Sequence, residues 1–150
     1  MSLLPKLNFP DYSFRLQSRD GVDLVWDDIR KLWLVLTPEE WVRRHAVSWL
    51  IAEHGVIPQM IVQEFSVNVN GQPQRADLVV FGRDAVPLLL VECKEPGVKV
   101  DSGVYAQAVR YNAVIGAKYM MITNGLSHYV YEGNGTGGYD PLKVFPELCK

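Results

Sequence analysis

The chain has 150 residues, of which 48% are hydrophobic and 21% charged, with a formal net charge of −2. These values are typical of one globular domain, and they exclude a protein held on nucleic acid by bulk positive charge. No stretch approaches the ~20 apolar residues of a membrane span, and prolines at positions 5 and 10 interrupt any signal-peptide pattern. Two cysteines fit a reducing compartment, so we expect a cytoplasmic protein without membrane contact.

The first 36 residues predict an irregular arm followed by a β-hairpin. Two apolar runs, at residues 14–18 and 22–26, flank the turn sequence Arg19-Asp20-Gly21, a pattern typical of a tight hairpin. A third strand-like run occupies residues 29–36. The hairpin either extends the main sheet or forms a separate small layer, and the sequence leaves both arrangements open.

A helix is predicted to begin after Thr37. This residue is a good N-cap, Pro38 suits the first helical position, and Glu40 completes a capping box. The helix is predicted to end at Gly55, with a buried apolar stripe at residues 42, 46, 49 and 50. Arg43 and Arg44 fall off that predicted stripe.

The next three strands predict an antiparallel meander. Residues 61–69 alternate in polarity, and Asn70-Gly71 is a strong hairpin turn. Residues 75–81 and 88–95 are two further strand-length runs, joined by a loop with Gly and Pro at its edges. A two-residue turn at Asn70-Gly71 places Glu64 opposite Asp77. A longer loop, which Pro73 would allow, shifts Glu64 but keeps it on the same face.

Charged residues inside these apolar runs form the candidate site. Pairing the last two strands about their loop places Asp77 opposite Glu92, where Cβ atoms lie about 4.5–5.5 Å apart and like charges repel. A divalent metal would offset that repulsion, because hard cations bind carboxylate oxygens. The carbonyl of Cys93 is a further candidate metal ligand. Lys94 shares the face of Glu92, and Arg75 lies opposite Lys94 in the same register.

The rest of the chain predicts a βαβ unit and a tail. Asp101 or Ser102 caps a helix that ends near Gly116, and the apolar run 118–123 follows as a buried strand parallel to the Glu92 strand. A last strand is predicted at residues 127–131. We expect a single domain over 1–150: arm and hairpin at 1–36, core at 37–131, and a Gly-rich loop and tail at 132–150, with a short helix in the tail as one alternative.

The order of these residues resembles a known nuclease family. Asp77 followed by Glu92-Cys93-Lys94 resembles the D…ExK core of the PD-(D/E)XK nuclease superfamily, with Ala76 in place of the proline. Over roughly residues 35–131 the chain resembles the N-terminal nuclease domain of type I restriction enzyme R subunits. The resemblance implies an α/β fold with a restriction-endonuclease-like α-β-β-β-α-β core, in which helices flank a mixed central sheet. The N-terminal β-hairpin is added to this core.

The resemblance also implies Mg²⁺, with Mn²⁺ as a substitute, and a DNA substrate. Asp77 and Glu92 would hold the metal, and Lys94 would act on the attacking water or the scissile phosphate. Glu40 would be the helix-borne carboxylate of the site, although its place in the capping box explains it equally well.

A second motif supports the same family. Gln107-Ala-Val-Arg-Tyr111 resembles the Q-x-x-x-Y motif found downstream of ExK in several nuclease branches. Gln107 and Tyr111 share one helix face, and in the family that face is implicated in DNA placement and cleavage. Arg75 would add positive charge for a phosphate.

Three functions stay open. The first is a metal-dependent endodeoxyribonuclease related to type I restriction R-subunit nuclease domains. The second is a catalytically weak or inactive nuclease-fold module that binds nucleic acid or a partner subunit of a restriction or defence system. The third is a homo-oligomeric structural domain, such as a homodimer. The sequence has no G-x-x-x-x-G-K-[ST] motif, so we do not expect it to be an ATP-driven restriction subunit by itself.

Overall fold

A computed structural model describes residues 4–148. The N-terminal region forms a three-stranded antiparallel sheet in the order β1 (Leu16–Arg19), β2 (Val22–Asp27) and β3 (Leu32–Val35). Asp20 and Gly21 both have positive φ, which is the geometry of the tight turn that their sequence predicts. The predicted hairpin is therefore present, and the third run adds a strand to it instead of extending the main sheet.

The first helix, α1 (Pro38–His54), begins and ends as predicted. The Thr37 hydroxyl accepts a hydrogen bond from the Glu40 amide, and Gly55 closes the helix in the left-handed conformation. The predicted capping box is incomplete, because the Thr37 amide donates to the Val35 carbonyl and the Glu40 carboxylate binds two arginines. A short 3-10 turn, Pro58–Met60, follows.

The main sheet has six strands and mixed direction. Its elements in chain order are β4 (Ile61–Val69), β5 (Gln72–Phe81), β6 (Pro87–Cys93), α2 (Ser102–Ile115), β7 (Tyr119–Thr123), β8 (His128–Gly133) and β9 (Tyr139–Leu142). The strands lie side by side in sequence order, and β6 and β7 are parallel while the other neighbours are antiparallel. The sequence from α1 through β7 thus has the predicted order of one helix, three strands, one helix and one strand.

The two helices cover opposite faces of this sheet. One core holds the apolar residues of α1 with alternate sheet residues such as Leu89 and Val91. The other core holds Ala108 and Tyr111 of α2 with the intervening residues, such as Leu90. Because alternate strand residues belong to different cores, β5, β6 and β7 are buried on both faces, as central strands covered by helices on both sides usually are.

The β4–β5 hairpin is interrupted beside the candidate site. The predicted two-residue turn at Asn70-Gly71 is present, and the ladder has the same register on both sides of Glu64 and Asp77, which are themselves left out of it. Glu64 has φ +54°, a left-handed conformation. Ile61 packs in the α1 core, yet Val67 packs in the α2 core. Residues six apart on a regular strand share a face, so β4 exchanges faces at this interruption.

The C-terminal region contributes a strand where a loop and tail, or a short helix, were predicted. The Gly-rich run after β8 forms a turn, and β9 pairs antiparallel with β8 at the edge of the sheet. Cys149 lies outside the described residues. None of the helices within residues 4–148 is both long and apolar enough to cross a membrane.

Gly125 lies against the N-terminal arm and α1, so a substitution there tests how closely these elements pack. Its φ is +86°, and a Cβ there would lie 2.8 Å from Leu7 and 3.0 Å from Val42, both of which are buried. We expect Gly125→Ala to lower the free energy of unfolding by about 2–4 kcal/mol through backbone strain and overpacking.

Gly135→Ala is the matched control, because Gly135 has φ +83° and no neighbour within 4 Å of the added Cβ. It should cost only the backbone strain, about 1 kcal/mol. Urea denaturation of both variants measures the difference, and equal losses would contradict the packing of the arm against α1.

Candidate active site

Asp77 and Glu92 face each other where β5 and β6 diverge. Leu78 pairs with Val91 in the predicted register, so the next position brings Asp77 opposite Glu92. The Asp77 amide donates to Glu92 Oε1 (3.2 Å), and the Cys93 amide donates to Asp77 Oδ2 (2.8 Å). Both acidic residues are buried. The structure therefore holds two carboxylates together in a region of low water access.

Burial has a strong effect on Glu92, which is 3% exposed. Desolvation and the neighbouring Asp77 carboxylate raise the pKa of Glu92 from 4.5 to about 8. Two carboxylates that cannot both ionise easily are a site where added positive charge is stabilising. The protein supplies part of that charge itself, from Lys94 and from an arginine of α1.

Lys94 and the Gln107/Tyr111 pair form one hydrogen-bonded chain. The Lys94 amide donates to the Thr123 carbonyl of β7, which fixes the backbone just after β6 ends. Its Nζ donates to Gln107 Oε1 (2.8 Å), and Gln107 Nε2 donates to the Tyr111 hydroxyl (3.2 Å). That hydroxyl in turn donates to Gln74 of β5 (3.3 Å). The helix α2 thus orients the lysine beside the two carboxylates.

Two arginines of α1 also lie at the site, although the apolar pattern of the helix did not predict their burial. Arg43 donates to Asp77 Oδ1 and to Glu40 Oε1, both at 2.6 Å. Arg44 donates to Glu40 Oε2 (3.0 Å) and also binds Gln63 and Asp27. The prediction that places both arginines off the buried stripe is wrong about their burial, since both are buried. They are buried because carboxylates from other elements surround them.

The neighbouring acid Glu39, rather than Glu40, is directed towards Asp77. Burial raises the pKa of Glu39, and the nearby Asp77 carboxylate, which lies within hydrogen-bonding reach, raises it further. Lys94 is close enough to oppose this shift. Both oxygens of Glu40, by contrast, are occupied by Arg43 and Arg44. One residue along a helix is a rotation of about 100°, which separates these two roles.

The remaining predicted residues lie around this centre. Arg75 pairs with Ser66 in the β4–β5 ladder, and its side chain is 74% exposed, with its guanidinium 3.9 Å from Glu64. The Glu64 carboxylate binds Arg30 of the N-terminal region (2.6 Å). The Cys93 thiol is fully buried in the α1 core, so only the carbonyl of Cys93 remains as its candidate contribution to a metal.

The donor chemistry at this centre fits Mg²⁺. Among residues 4–148, no three His, Cys, Asp or Glu side chains are grouped as a metal-binding cluster. Mg²⁺ usually takes only one or two protein carboxylates and completes its coordination with water and substrate phosphate. Asp77 and Glu92 provide that number of oxygen donors, and they lie opposite each other at the end of the β5–β6 pairing.

Comparison with known proteins identified a matching family and a similar solved structure. A family model described as type I restriction enzyme R protein N terminus (HSDR_N) matches residues 38–146. A solved fragment structure, assigned as the HsdR subunit of a type I restriction enzyme from Vibrio vulnificus YJ016, is 26% identical, with a TM-score of 0.56. The match covers 75% of this chain and 24% of that chain, so this chain spans about a quarter of that relative. No curated protein matched.

The raised pKa of Glu92 predicts a pH dependence of stability. Between pH 4.5 and about 8 the folded protein keeps a proton that the unfolded chain has lost, so stability should fall as the pH rises through this window. The slope from one such group is at most about 1.4 kcal/mol per pH unit. Glu92→Gln should flatten the profile of stability against pH. Compared with the wild type, this variant should therefore be favoured more at pH 8 than at pH 5.

Urea denaturation with a chelator present, at several pH values between 5 and 8, measures this effect. Glu132→Gln is a suitable control, because Glu132 lies on β8 away from the two carboxylates. Parallel profiles for the wild type and Glu92→Gln would show that Glu92 is ionised throughout this range.

Proposed function

The chain belongs to the family of type I restriction enzyme R protein N termini, and from this premise we propose that it is a metal-dependent nuclease domain that hydrolyses phosphodiester bonds in DNA. One observation carries the proposal. Two buried carboxylates, Asp77 and Glu92, lie beside Lys94, whose ammonium group is held by Gln107. This arrangement provides metal ligands and a positioned cation for a phosphate in one place.

The finer fold assignment is part of the same proposal. The order of elements from α1 to β7 supports a PD-(D/E)XK core, in which Asp77, Glu92 and Lys94 would be the motif residues. We infer that the six-stranded sheet contains this core, to which the N-terminal sheet and the two last strands are added.

Each residue of the site then has a chemical task. A bound Mg²⁺ supplies Lewis acidity to the phosphate and lowers the pKa of a water molecule. Asp77 and Glu92 would hold the ion, with the Cys93 carbonyl as a further candidate oxygen. Lys94 orients the attacking water or stabilises the negative charge that develops on the phosphate.

The Gln107/Tyr111 pair positions that lysine. An unrestrained lysine side chain loses much conformational freedom when it is fixed, and the hydrogen bond from Nζ to Gln107 places it before substrate binds. The Tyr111 hydroxyl accepts a hydrogen bond from Gln107 and donates one to Gln74 of β5, so it restrains the Gln107 side chain. A direct contact of Gln107 and Tyr111 with substrate stays a prediction, and Arg75, exposed at the rim, is available to a DNA phosphate.

We propose Glu39 as the helix-borne carboxylate of the site. It lies beside Asp77 and Lys94, whereas the two oxygens of Glu40 are taken by Arg43 and Arg44. In this scheme Glu39 contributes negative charge to the metal region, and Glu40 holds the two arginines in place.

The partners are proposals of the same kind. The net charge of −2 offers little general attraction for DNA, and the chain spans about a quarter of the solved relative. We propose that DNA is held with the help of other parts of a restriction system, and a homodimer stays a prediction. The alternative function, a nuclease-fold module that binds without cutting, is an outcome of the following test.

Cleavage of plasmid DNA with Mg²⁺ or Mn²⁺ tests the proposed activity. We expect Glu92→Ala and Lys94→Ala to lower the nicking rate by about 100-fold or more, because they remove a metal ligand and a charge-stabilising group. Lys99→Ala, at an exposed lysine, should keep wild-type activity. Equal nicking by all variants would contradict the assignment, and DNA binding without cleavage, unaffected by Glu92→Ala, would favour the binding module.

A pair of variants separates the two helix carboxylates. Glu39→Gln should lower the apparent metal affinity in the cleavage reaction by about 10–100-fold, an effect typical of groups that support metal ligands. It should leave thermal stability nearly unchanged. Glu40→Gln should instead destabilise the fold by about 3 kcal/mol, because it removes the buried negative charge that both arginines share. Thermal denaturation and activity against metal concentration measure both effects, and reversed outcomes would return the role to Glu40.

A further inference from the structure

Arg43 occupies the centre of a group of acidic side chains. Its guanidinium contacts Glu40 and Asp77 at 2.6 Å each and Glu39 at 3.4 Å, and its side chain is only 10% exposed. Arg43 binds Asp77 Oδ1, while the Cys93 amide binds Oδ2. Both oxygens of the proposed metal ligand Asp77 therefore already accept hydrogen bonds, and the one on Oδ1 comes from a cation.

The hydrogen bonding of Arg43 differs from that of its neighbour Arg44. The Nε of Arg44 donates to Glu40, and its terminal nitrogens bind Gln63 and Asp27. Each nitrogen of this guanidinium therefore has a partner. The Nε of Arg43 is buried and has no hydrogen-bond partner among residues 4–148. A buried donor without a partner costs about 1–3 kcal/mol. Arg43 therefore keeps its position through its carboxylate contacts, despite an unsatisfied donor.

Release of Arg43 from Asp77 would leave the arginine paired. Glu40 accepts from one terminal nitrogen, Nη1, while Asp77 accepts from the other, Nη2. The contact with Glu40 is within α1, three residues apart, and does not depend on the sheet. The guanidinium can thus leave Asp77 without becoming an unpaired buried charge, the condition that makes broken buried ion pairs so costly.

We propose that Arg43 and a divalent cation compete for the Asp77 carboxylate, so that the arginine is a built-in counter-ion that metal binding must displace. This inference rests on the proposed metal site. Two cations cannot share one carboxylate oxygen without strong repulsion in a buried environment. The occupancy of Asp77 by Arg43 therefore lowers the apparent affinity for the metal, and metal entry shifts Arg43 towards Glu40.

Calorimetric titration of the whole chain with Mn²⁺ tests this coupling directly. We expect Arg43→Met and Arg43→Gln to bind Mn²⁺ about tenfold more tightly or better, within the 5–150-fold range of ordinary coupling between sites. Arg44→Gln is the matched control, because Arg44 is the adjacent buried arginine and does not bind Asp77. It should bind Mn²⁺ with wild-type affinity.

Thermal stability gives a second readout that does not depend on catalysis. With a chelator, Arg43→Gln should melt at a lower temperature than the wild type, because Asp77 has lost its counter-charge. Saturating Mn²⁺ should raise the melting temperature of Arg43→Gln more than that of the wild type, since a ligand stabilises the folded state according to its affinity. If Arg43→Met does not fold, Arg43→Gln retains a polar group for Glu40 and keeps the test decisive.

The outcomes separate this inference from the proposed function. Equal or weaker Mn²⁺ binding by the Arg43 variants overturns the competition, while loss of binding in Asp77→Asn would still support the metal site. Absence of Mn²⁺ binding in the wild type and in every variant overturns both proposals. Binding by the Arg43 variants alone supports the competition in its strongest form.

Discussion

A buried chain of alternating charges joins the parts of this structure. It runs from Asp27 of the N-terminal sheet through Arg44, Glu40 and Arg43 of α1 to Asp77 of the central sheet. Every member of it is buried, so removing one leaves its neighbours with less compensating charge, and such changes cost several kcal/mol. The position of α1 over the sheet is thereby fixed by directional contacts as well as by apolar packing. The candidate site lies at one end of this chain.

The charge chain also explains why the N-terminal sheet belongs with the site. Asp27 is fully buried, and it binds Arg44 together with Arg30, whose guanidinium reaches Glu64 of β4. Asp27 and Arg30 precede the segment 38–146 matched by the family model, whereas their partners Arg44 and Glu64 lie within it. The segment that matches the family model is thus held in part by ion pairs with residues that precede it. A shortened protein that begins at α1 would keep the proposed metal ligands but lose one end of the network that orients them.

The sequence predicted the local structure well and the buried polar contacts poorly. Turn and cap residues such as Asn70-Gly71 set their geometry within a few positions, and the register that brings Asp77 to Glu92 follows from counting along one loop. Arg43 is different, because its partner Asp77 lies 34 positions away, and an apolar stripe carries no information about a buried ion pair. The last strand was missed because Gly-rich sequence and Pro141 suggest a loop, although proline is compatible with an edge strand.

The interruption of the β4–β5 ladder has a consequence for observing the site. Asp77 takes no part in that ladder, and its backbone amide binds the Glu92 carboxylate, while the Cys93 amide binds the Asp77 carboxylate. Two main-chain nitrogens therefore each report on one of the two acidic groups. In a nuclear magnetic resonance spectrum of ¹⁵N-labelled protein, the signals of these two amides would register protonation or ion binding at each carboxylate separately, without any label introduced into the site.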